Sequence, residues 1–242
     1  MADEAVHVVE HPADDLDAPV IVLVHGVLDS SLSFEGVVDE LVPEFTVVTY
    51  DRRGWGRSRH VSSAESLEEH AHDVIAAIGD RRATVVAHSY GGAVALLAAS
   101  LRPDLVAAVA VFEPTMAWAE WWPDQETIQA QAVHVQHHFR AGMEGRPKPT
   151  PEQRARDQAL MAHDLTLVVE PPFAFADVNV PCLIGRSTLT TPWHVDSTAR
   201  LAEIFATDLV VIEDAGHTAH RTQPKAFADF ARQAVALGRT KR

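Results

Sequence analysis

The sequence predicts an α/β fold with a mostly parallel central sheet and helices on both faces. Continuous apolar runs such as residues 19–24 and 45–50 are typical of strands buried on both faces of a parallel sheet. Amphipathic segments such as residues 65–78 have the spacing of surface helices. Because strands and helices alternate along the chain, we expect βαβ units with right-handed crossovers.

The same patterns assign the elements in order. Strands are predicted at residues 5–9, 19–24, 45–50, 83–88, 105–112, 180–185 and 208–213. Helices are predicted at residues 34–41 and 65–78, directly after Ser89, and at residues 193–205 and 222–237. The strand rhythm stops between residues 115 and 179, where a Pro-rich break precedes a helix from about 151 to 168. We therefore expect one domain, residues 1–242, with an inserted helical subregion at about 115–179.

The composition is that of an acidic globular protein. The chain has 242 residues, with 20 Lys and Arg against 34 Asp and Glu, and a net charge of −14. This charge repels phosphate backbones and offers no basic patch to an anionic membrane, so neither nucleic acid nor a membrane is an expected partner. Cys182 is the only cysteine, which excludes an intramolecular disulfide, and we expect it to be a buried structural thiol. The acidic N-terminus lacks a signal core and no apolar run is long enough to span a bilayer, so a cytoplasmic location is expected. The protein is expected to be a monomer or a homodimer.

The stretch around Ser89 carries the strongest functional signal. An apolar strand ends at His88 and an Ala-rich helix begins within two residues of it, so Ser89 lies on a sharp turn that would expose its hydroxyl at the top of the sheet. The run Ala87-His-Ser-Tyr-Gly91 resembles the nucleophile elbow of the α/β-hydrolase family, Gly-x-Ser-x-Gly, with Ala87 in place of the first glycine. The alternative, a serine in an ordinary strand-to-helix turn, is disfavoured by three further motifs in the family's order.

These motifs are His25-Gly26, the loop Asp51–Ser58 and Gly216-His217. The loop reads Asp-Arg-Arg-Gly-Trp-Gly-Arg-Ser and matches the family pattern Asp-x-Arg-Gly-x-Gly-x-Ser, a structural signature in which Asp51 would tie the loop together. The resemblance implies an α/β-hydrolase fold with a helical cap inserted after the family's sixth strand, which is the subregion at about 115–179. It also implies a catalytic pair: a nucleophile, Ser89, and a base, His217, which is favoured over His220.

The resemblance also implies an oxyanion hole formed by the backbone N–H groups of Val27 and Tyr90. Two convergent N–H groups stabilise the negative oxygen of a tetrahedral intermediate and need no particular side chain. His25 is expected to support this loop rather than to take part in the chemistry.

The carboxylate of the triad is missing from its usual place. The family's usual segment, Gly-x-x-Asp after the seventh strand, reads Gly185-Arg-Ser-Thr188 here, and Thr188 cannot carry a charge. Some members take the acid from the end of the sixth strand, where this chain has Glu113 before Pro114. Glu113 is therefore the predicted triad acid, and a surface glutamate that ends a strand is the alternative. The other candidates are Asp196, Asp208 and Asp214, and a Ser-His dyad with Thr188 and water is the remaining alternative.

The cap is expected to shape an apolar substrate pocket. Leu28 and three tryptophans near the cap entrance are predicted to line it: Trp118, Trp121 and Trp122. Three histidines in the cap invite a metal site, but their polar, Gln-rich surroundings disfavour one: His134, His137 and His138. No cofactor is predicted, since Gly54-Trp-Gly56 lacks the third glycine of a dinucleotide-binding fingerprint.

Together these features predict a serine hydrolase that cleaves a carboxylic ester, or a related acyl bond, of a small or medium apolar substrate through an acyl-enzyme. Dehalogenase and epoxide hydrolase chemistry is disfavoured, because both need a carboxylate nucleophile where this chain has Ser89. Two alternatives stay open. One is a C–C bond hydrolase, lyase or cyclase that uses the same pocket, and the other is a catalytically idle binding protein.

Overall fold

A single seven-stranded sheet organises the part of the chain that the computed structural model describes, residues 5–124, 126–128 and 149–240. The strands are β1 Val8–His11, β2 Val20–Val24, β3 Thr46–Tyr50, β4 Ala83–His88, β5 Val106–Phe112, β6 Cys182–Ser187 and β7 Leu209–Ile212. Their order across the sheet is β1-β3-β2-β4-β5-β6-β7. Only β1 pairs antiparallel, with β3, and the other six strands are parallel. The predicted fold class is confirmed.

Helices lie between the strands as the alternation predicts. Their bounds are α1 Glu35–Leu41, α2 Leu67–Ile78, α3 Tyr90–Leu101, α4 Pro151–Thr166, α5 Pro192–Ile204, α6 Ala219–Thr222 and α7 Pro224–Thr240. The closing helix predicted at residues 222–237 is α7, and a separate short helix, α6, lies directly before it. The long helix begins at Pro224 because proline is suited to the first position of a helix and not to its interior. Among the described residues, no helix is long and apolar enough to cross a membrane.

The core consists of two apolar layers, one on each face of the sheet. Alternate residues of β2 contribute to opposite layers: Val20, Val22 and Val24 to one, and Ile21 and Leu23 to the other. All five are buried, so both faces of this strand are covered by helices. Cys182, the first residue of β6, is 5% exposed and belongs to the first layer, as expected of a structural thiol.

Helix α4 begins directly after the Pro-rich break and has a well-defined start. Thr150 Oγ1 accepts a hydrogen bond from Gln153 N at 3.2 Å, and Gln153 Oε1 accepts one from Thr150 N at 2.8 Å. This reciprocal cap, with Pro151 at the first helical position, satisfies backbone donors that a helix leaves unpaired. We refer to residues 115–179 as the cap segment, of which the structure describes 115–124, 126–128 and 149–179.

The parallel strands bring every predicted motif to one edge of the sheet. His25, Ser89, Glu113 and Thr188 directly follow β2, β4, β5 and β6, and His217 lies in the loop after β7. Carboxyl ends of parallel strands meet at the same edge, which is where α/β folds bind ligands. The resemblance placed Glu113 at the end of the family's sixth strand. In this structure that strand is β5, the fifth of the seven described strands.

Candidate active site

Ser89 lies on a strained turn between β4 and α3. Its backbone has φ 54° and ψ −126°, a conformation that non-glycine residues rarely adopt. Gly91 allows the turn to pack on β2, since a Cβ there would lie 2.6 Å from the Val24 carbonyl oxygen. A Cβ at Gly26 would likewise lie 3.0 Å from Ser89 Cβ. These close approaches bury most of Ser89, which is 8% exposed as a whole residue.

Glu113 and His217 meet beside this turn. Glu113 Oε2 lies 2.7 Å from His217 Nδ1, so the contact predicted from the sequence is present. Glu113 is fully buried, which excludes the surface-glutamate alternative. Because a carboxylate only accepts hydrogen bonds, Nδ1 of His217 carries the proton and donates it. This tautomer leaves Nε2 as the ring nitrogen that can accept a proton.

The second oxygen of Glu113 is held by Ser187, the last residue of β6. Ser187 N donates to Glu113 Oε1 at 2.8 Å, and the Ser187 hydroxyl donates to the same oxygen. Burial alone would raise the pKa of Glu113, but the hydrogen bond from His217, the neighbouring histidines and Ser187 lower it to about 2. Glu113 is therefore ionised at neutral pH.

His194 is a further component of the site, and sequence reasoning missed it. This buried residue of α5 stacks on His217 with ring centroids 4.9 Å apart and planes 11° apart. Its Nδ1 lies 3.6 Å from Glu113 Oε2. Burial, the main cause, lowers the pKa of His194 to about 3, so the ring is neutral and adds no charge beside the pair. In the sequence, His194 is a histidine within the helix predicted at residues 193–205, and it belongs to none of the recognised motifs.

The alternative acids are far less suited to the role. Asp196, Asp208 and Asp214 are all exposed. Thr188 is also exposed, and its hydroxyl accepts a hydrogen bond from Asp214 N at 2.9 Å. Among the described carboxylates, Glu113 is the one buried against His217.

His25 supports the loop expected to form the oxyanion hole. Its Nδ1 donates to the Gly26 carbonyl oxygen at 2.8 Å, and its Nε2 accepts from Arg52 N at 2.9 Å. One neutral tautomer satisfies both contacts. Burial and the Arg52 charge lower the pKa of His25 to about 4, which keeps this tautomer neutral. Val27 and Leu28 follow, and Leu28 is 48% exposed with a positive φ of 55°.

Asp51 ties the arginine-rich loop together as predicted. Its Oδ1 accepts from Ser31 N at 2.7 Å and its Oδ2 accepts from Arg57 N at 2.8 Å. Trp55 of the same loop is 2% exposed and donates its Nε1–H to Asp164 Oδ2 at 2.9 Å. It is therefore packed between this loop and α4.

His220 and His88 connect the loops beneath the site. His220 Nε2 donates to Asp29 Oδ2 at 3.2 Å, and Arg221 also donates to Asp29. His88 Nε2 donates to the His217 carbonyl oxygen at 2.8 Å. Because Arg221 already neutralises Asp29, we interpret this cluster as a structural contact between loops rather than as a metal site. The hydrogen bond to Asp29 gives His220 a structural role.

The three predicted tryptophans differ in their surroundings, although all are half-buried. Trp118 and Trp121 stack on Phe175 at centroid distances of 6.0 and 5.8 Å. Trp122 contacts the His194 ring edge-on at 5.9 Å, one ring away from His217. Of the three, Trp122 is thus linked most directly to His217 of the predicted catalytic pair. The histidines of the metal hypothesis lie outside the described residues: His134, His137 and His138.

A match to a family model agrees with this geometry. Residues 21–230 match the model of the alpha/beta hydrolase family. The match covers most of the chain and contains every predicted site residue. The protein belongs to the alpha/beta hydrolase family.

Individual relatives are similar over shorter segments. The uncharacterized protein Rv2715 of Mycobacterium tuberculosis is 36% identical over 91 residues, which are 36% of this chain and 27% of that protein. Epoxide hydrolase B of the same species is 34% identical over 110 residues, which are 43% of this chain and 31% of that enzyme. The matches thus span about a third or less of these relatives' length.

A solved structure, a putative lipase from Acinetobacter baumannii, is similar over all of this chain and 91% of its own, with a TM-score of 0.71 and 16% identity. At that identity the likeness supports the fold alone.

Proposed function

We propose that this protein is a serine hydrolase that cleaves a carboxylic ester through an acyl-enzyme. The observation that carries the proposal is the Glu113–His217 contact of 2.7 Å at the sheet edge where Ser89 occupies a strained turn. A buried carboxylate that fixes an imidazole next to an elbow serine is the arrangement of nucleophilic acyl transfer.

In the proposed mechanism, Ser89 Oγ attacks the ester carbonyl carbon while His217 Nε2 takes the hydroxyl proton. The carbonyl oxygen becomes an oxyanion that accepts hydrogen bonds from the backbone N–H groups of Val27 and Tyr90. Glu113 stabilises the imidazolium, which then protonates the leaving alcohol. Water attacks the acyl-enzyme by the same steps and releases the acid.

The proposed substrate is a small molecule of small or medium size with an apolar acyl group. The aromatic side chains of the cap segment support this proposal, because Trp122 lies one ring away from His217. We further propose that the protein acts as a monomer or homodimer. Epoxide hydrolase B is a relative by sequence, but Ser89 stands where epoxide opening would need a carboxylate, so we do not extend that activity to this chain.

A panel of p-nitrophenyl esters from acetate upward tests the proposal. We expect turnover by the wild type and a loss of several orders of magnitude in kcat for Ser89→Ala. Ser100→Ala is the matched control, because Ser100 lies near the end of α3 and donates its hydroxyl only to the Leu97 carbonyl within its own helix. Near-wild-type turnover by Ser89→Ala would refute the serine mechanism.

A further inference from the structure

Arg52 is a fully buried cation that lies between helix α4 and residues 25–28, the loop expected to supply the first oxyanion donor, which we call the oxyanion loop. Its Nη2 donates to the Gly26 carbonyl oxygen at 3.1 Å, and its Nε donates to the His25 carbonyl oxygen at 3.2 Å. Both terminal nitrogens also donate to Asp164 Oδ2 at 3.0 Å. The side chains of Arg52 and Asp164 are both 0% exposed. One guanidinium thus contacts the catalytic end of the sheet and the cap segment together.

The contact with Gly26 orients the first oxyanion donor. The Gly26 carbonyl oxygen is held from two sides, by Arg52 and by His25 Nδ1. In a trans peptide the carbonyl and the following N–H point in opposite directions, so the Val27 N–H is directed away from Arg52. Gly26 itself lies against Ser89. A cation on this carbonyl also polarises the peptide and strengthens its N–H as a donor.

The same cation contacts the residue that carries the second donor. The Arg52 Cζ atom lies 4.5 Å from the centroid of the Tyr90 ring, a cation–π distance. Tyr90 is the first residue of α3, and its ring is fully buried. Arg52 therefore restrains both Gly26-Val27 and Tyr90.

Asp164 supplies the counter-charge from α4, 112 residues further along the chain. Burial alone would raise the pKa of Asp164, but Arg52, His70 and Trp55 hold it well below its usual range. A buried arginine without its carboxylate is costly, because its charge has lost water without gaining a partner. The guanidinium can therefore hold its position at the oxyanion loop only while α4 is docked.

We propose that Arg52 is a positioning residue for both oxyanion donors and that Asp164 couples the docking of α4 to the formation of the oxyanion hole. The inference rests on the proposed function and names the group that preorganises its oxyanion site. Loss of Arg52 should weaken stabilisation of the oxyanion, which lowers kcat. Recognition of the neutral ester should stay in place, so KM should change little.

The chain offers a matched control between the same loop and the same helix. Arg59 Nη2 lies 3.4 Å from Asp157 Oδ1, where Arg59 follows the loop Asp51–Ser58 and Asp157 is on α4. The Arg59 side chain is 43% exposed, and the pair has no contact with the oxyanion loop. Asp157→Asn therefore removes a loop-to-cap ion pair without touching Arg52.

The test compares wild type, Arg52→Met, Arg52→Lys, Arg52→Met with Asp164→Asn, and Asp157→Asn. For each we measure kcat and KM on the best ester, and Ki for a trifluoromethyl ketone with the same alkyl chain. Ser89 Oγ bonds to the ketone carbon, its proton passes to His217, and the carbonyl oxygen becomes the oxyanion. Active sites are titrated with a fluorophosphonate, so that kcat is expressed per functional active site and misfolded protein is excluded.

We expect Arg52→Met to lower kcat and raise Ki about 10- to 100-fold each, with KM changed less than about threefold. Arg52→Lys should show smaller changes in kcat and Ki than Arg52→Met does, and Asp157→Asn should match the wild type. If Arg52→Met does not fold, the double variant has no unpaired buried charge and should fold with the same loss.

Wild-type kcat and Ki per active site in the folded double variant would overturn the inference. Absence of turnover and of ketone binding in the wild type would instead refute the proposed function, and the inference with it. The wild-type arm thus tests the function, and the variant arms test the role of Arg52.

Discussion

Glu113 joins two strand ends and the loop of His217 through a single carboxylate. Its backbone has a positive φ of 45°, which turns the chain away from β5. Its two oxygens have separate partners, since Oε1 accepts from Ser187 and Oε2 accepts from His217. Each oxygen is thereby restrained, and the imidazole is held in one tautomer. The carboxylate should thus act by orienting and stabilising the histidine.

Replacing Glu113 by glutamine should reduce kcat by about a thousandfold or more, because the amide cannot stabilise the imidazolium and favours the wrong tautomer. The fold should persist, since the amide fills the same volume. Ester turnover under saturating substrate measures the effect. Glu213→Gln, an exposed change at the end of β7, is the control. Unchanged kcat in Glu113→Gln would assign the role of triad acid to another group.

Sequence could predict those site residues that lie next to a local pattern. Ser89 and His217 follow strands within recognisable motifs, and Glu113 was indicated by a charge at the end of an apolar strand. Ser187 and His194 could not be predicted, because their contacts with Glu113 depend on how β5, β6 and α5 pack. No local pattern distinguishes a serine that holds a carboxylate from one that ends a strand.

At the scale of elements, the cap segment contributes aromatic side chains of two kinds. Trp118 and Trp121 pack on Phe175, within an aromatic cluster that also includes Phe173. Trp122 instead contacts His194, which stacks on His217. The first two therefore stabilise the cap segment, while Trp122 lies one ring away from His217.

Trp122→Ala should alter the preference for acyl-chain length more than it alters kcat/KM on the acetate ester, because it removes apolar surface near the catalytic pair. Trp118→Ala, the comparison, should mainly lower Tm through loss of aromatic packing. Profiles of kcat/KM across the ester panel measure both variants. If Trp122→Ala kept the wild-type profile, the proposed pocket would be wrong.

Sequence predicted the strands and most helices because their residues face two apolar layers and so carry regular patterns. It did not predict the short helix α6, which lies directly before Pro224. Nor did it predict the tie of α4 to Arg52. Arg52 belongs to a loop motif and Asp164 to a polar helix, and only tertiary packing places the two buried charges together.

At the scale of the whole molecule, the ionised Glu113 should make folding depend on pH. Its pKa is about 2 in the fold against an ordinary value of 4.5, so the ionised form stabilises the fold. The contribution is fully present above about pH 4.5 and is lost as the pH falls toward 2. The shift corresponds to roughly 3 kcal/mol in the free energy of unfolding.

The measurement for this prediction is the free energy of unfolding by urea, for wild type and Glu113→Gln, between pH 6 and pH 3. The difference in the free energy of unfolding between wild type and Glu113→Gln should shrink as the pH falls. The reason is that glutamate at position 113 takes up a proton over this range and glutamine does not. The other buried carboxylates titrate alike in both proteins and cancel in the difference. A difference that is constant over this range would contradict the low pKa.

The central claim is that Ser89 is a nucleophile activated by His217, and covalent labelling tests it most directly. The protein is treated with a fluorophosphonate probe, its intact mass is recorded, and the labelled peptide is mapped. The account predicts one probe per chain on the peptide that contains Ser89, with no adduct on Ser89→Ala and full labelling of Ser100→Ala. A wild type without an adduct, or an adduct that persists in Ser89→Ala, would contradict it.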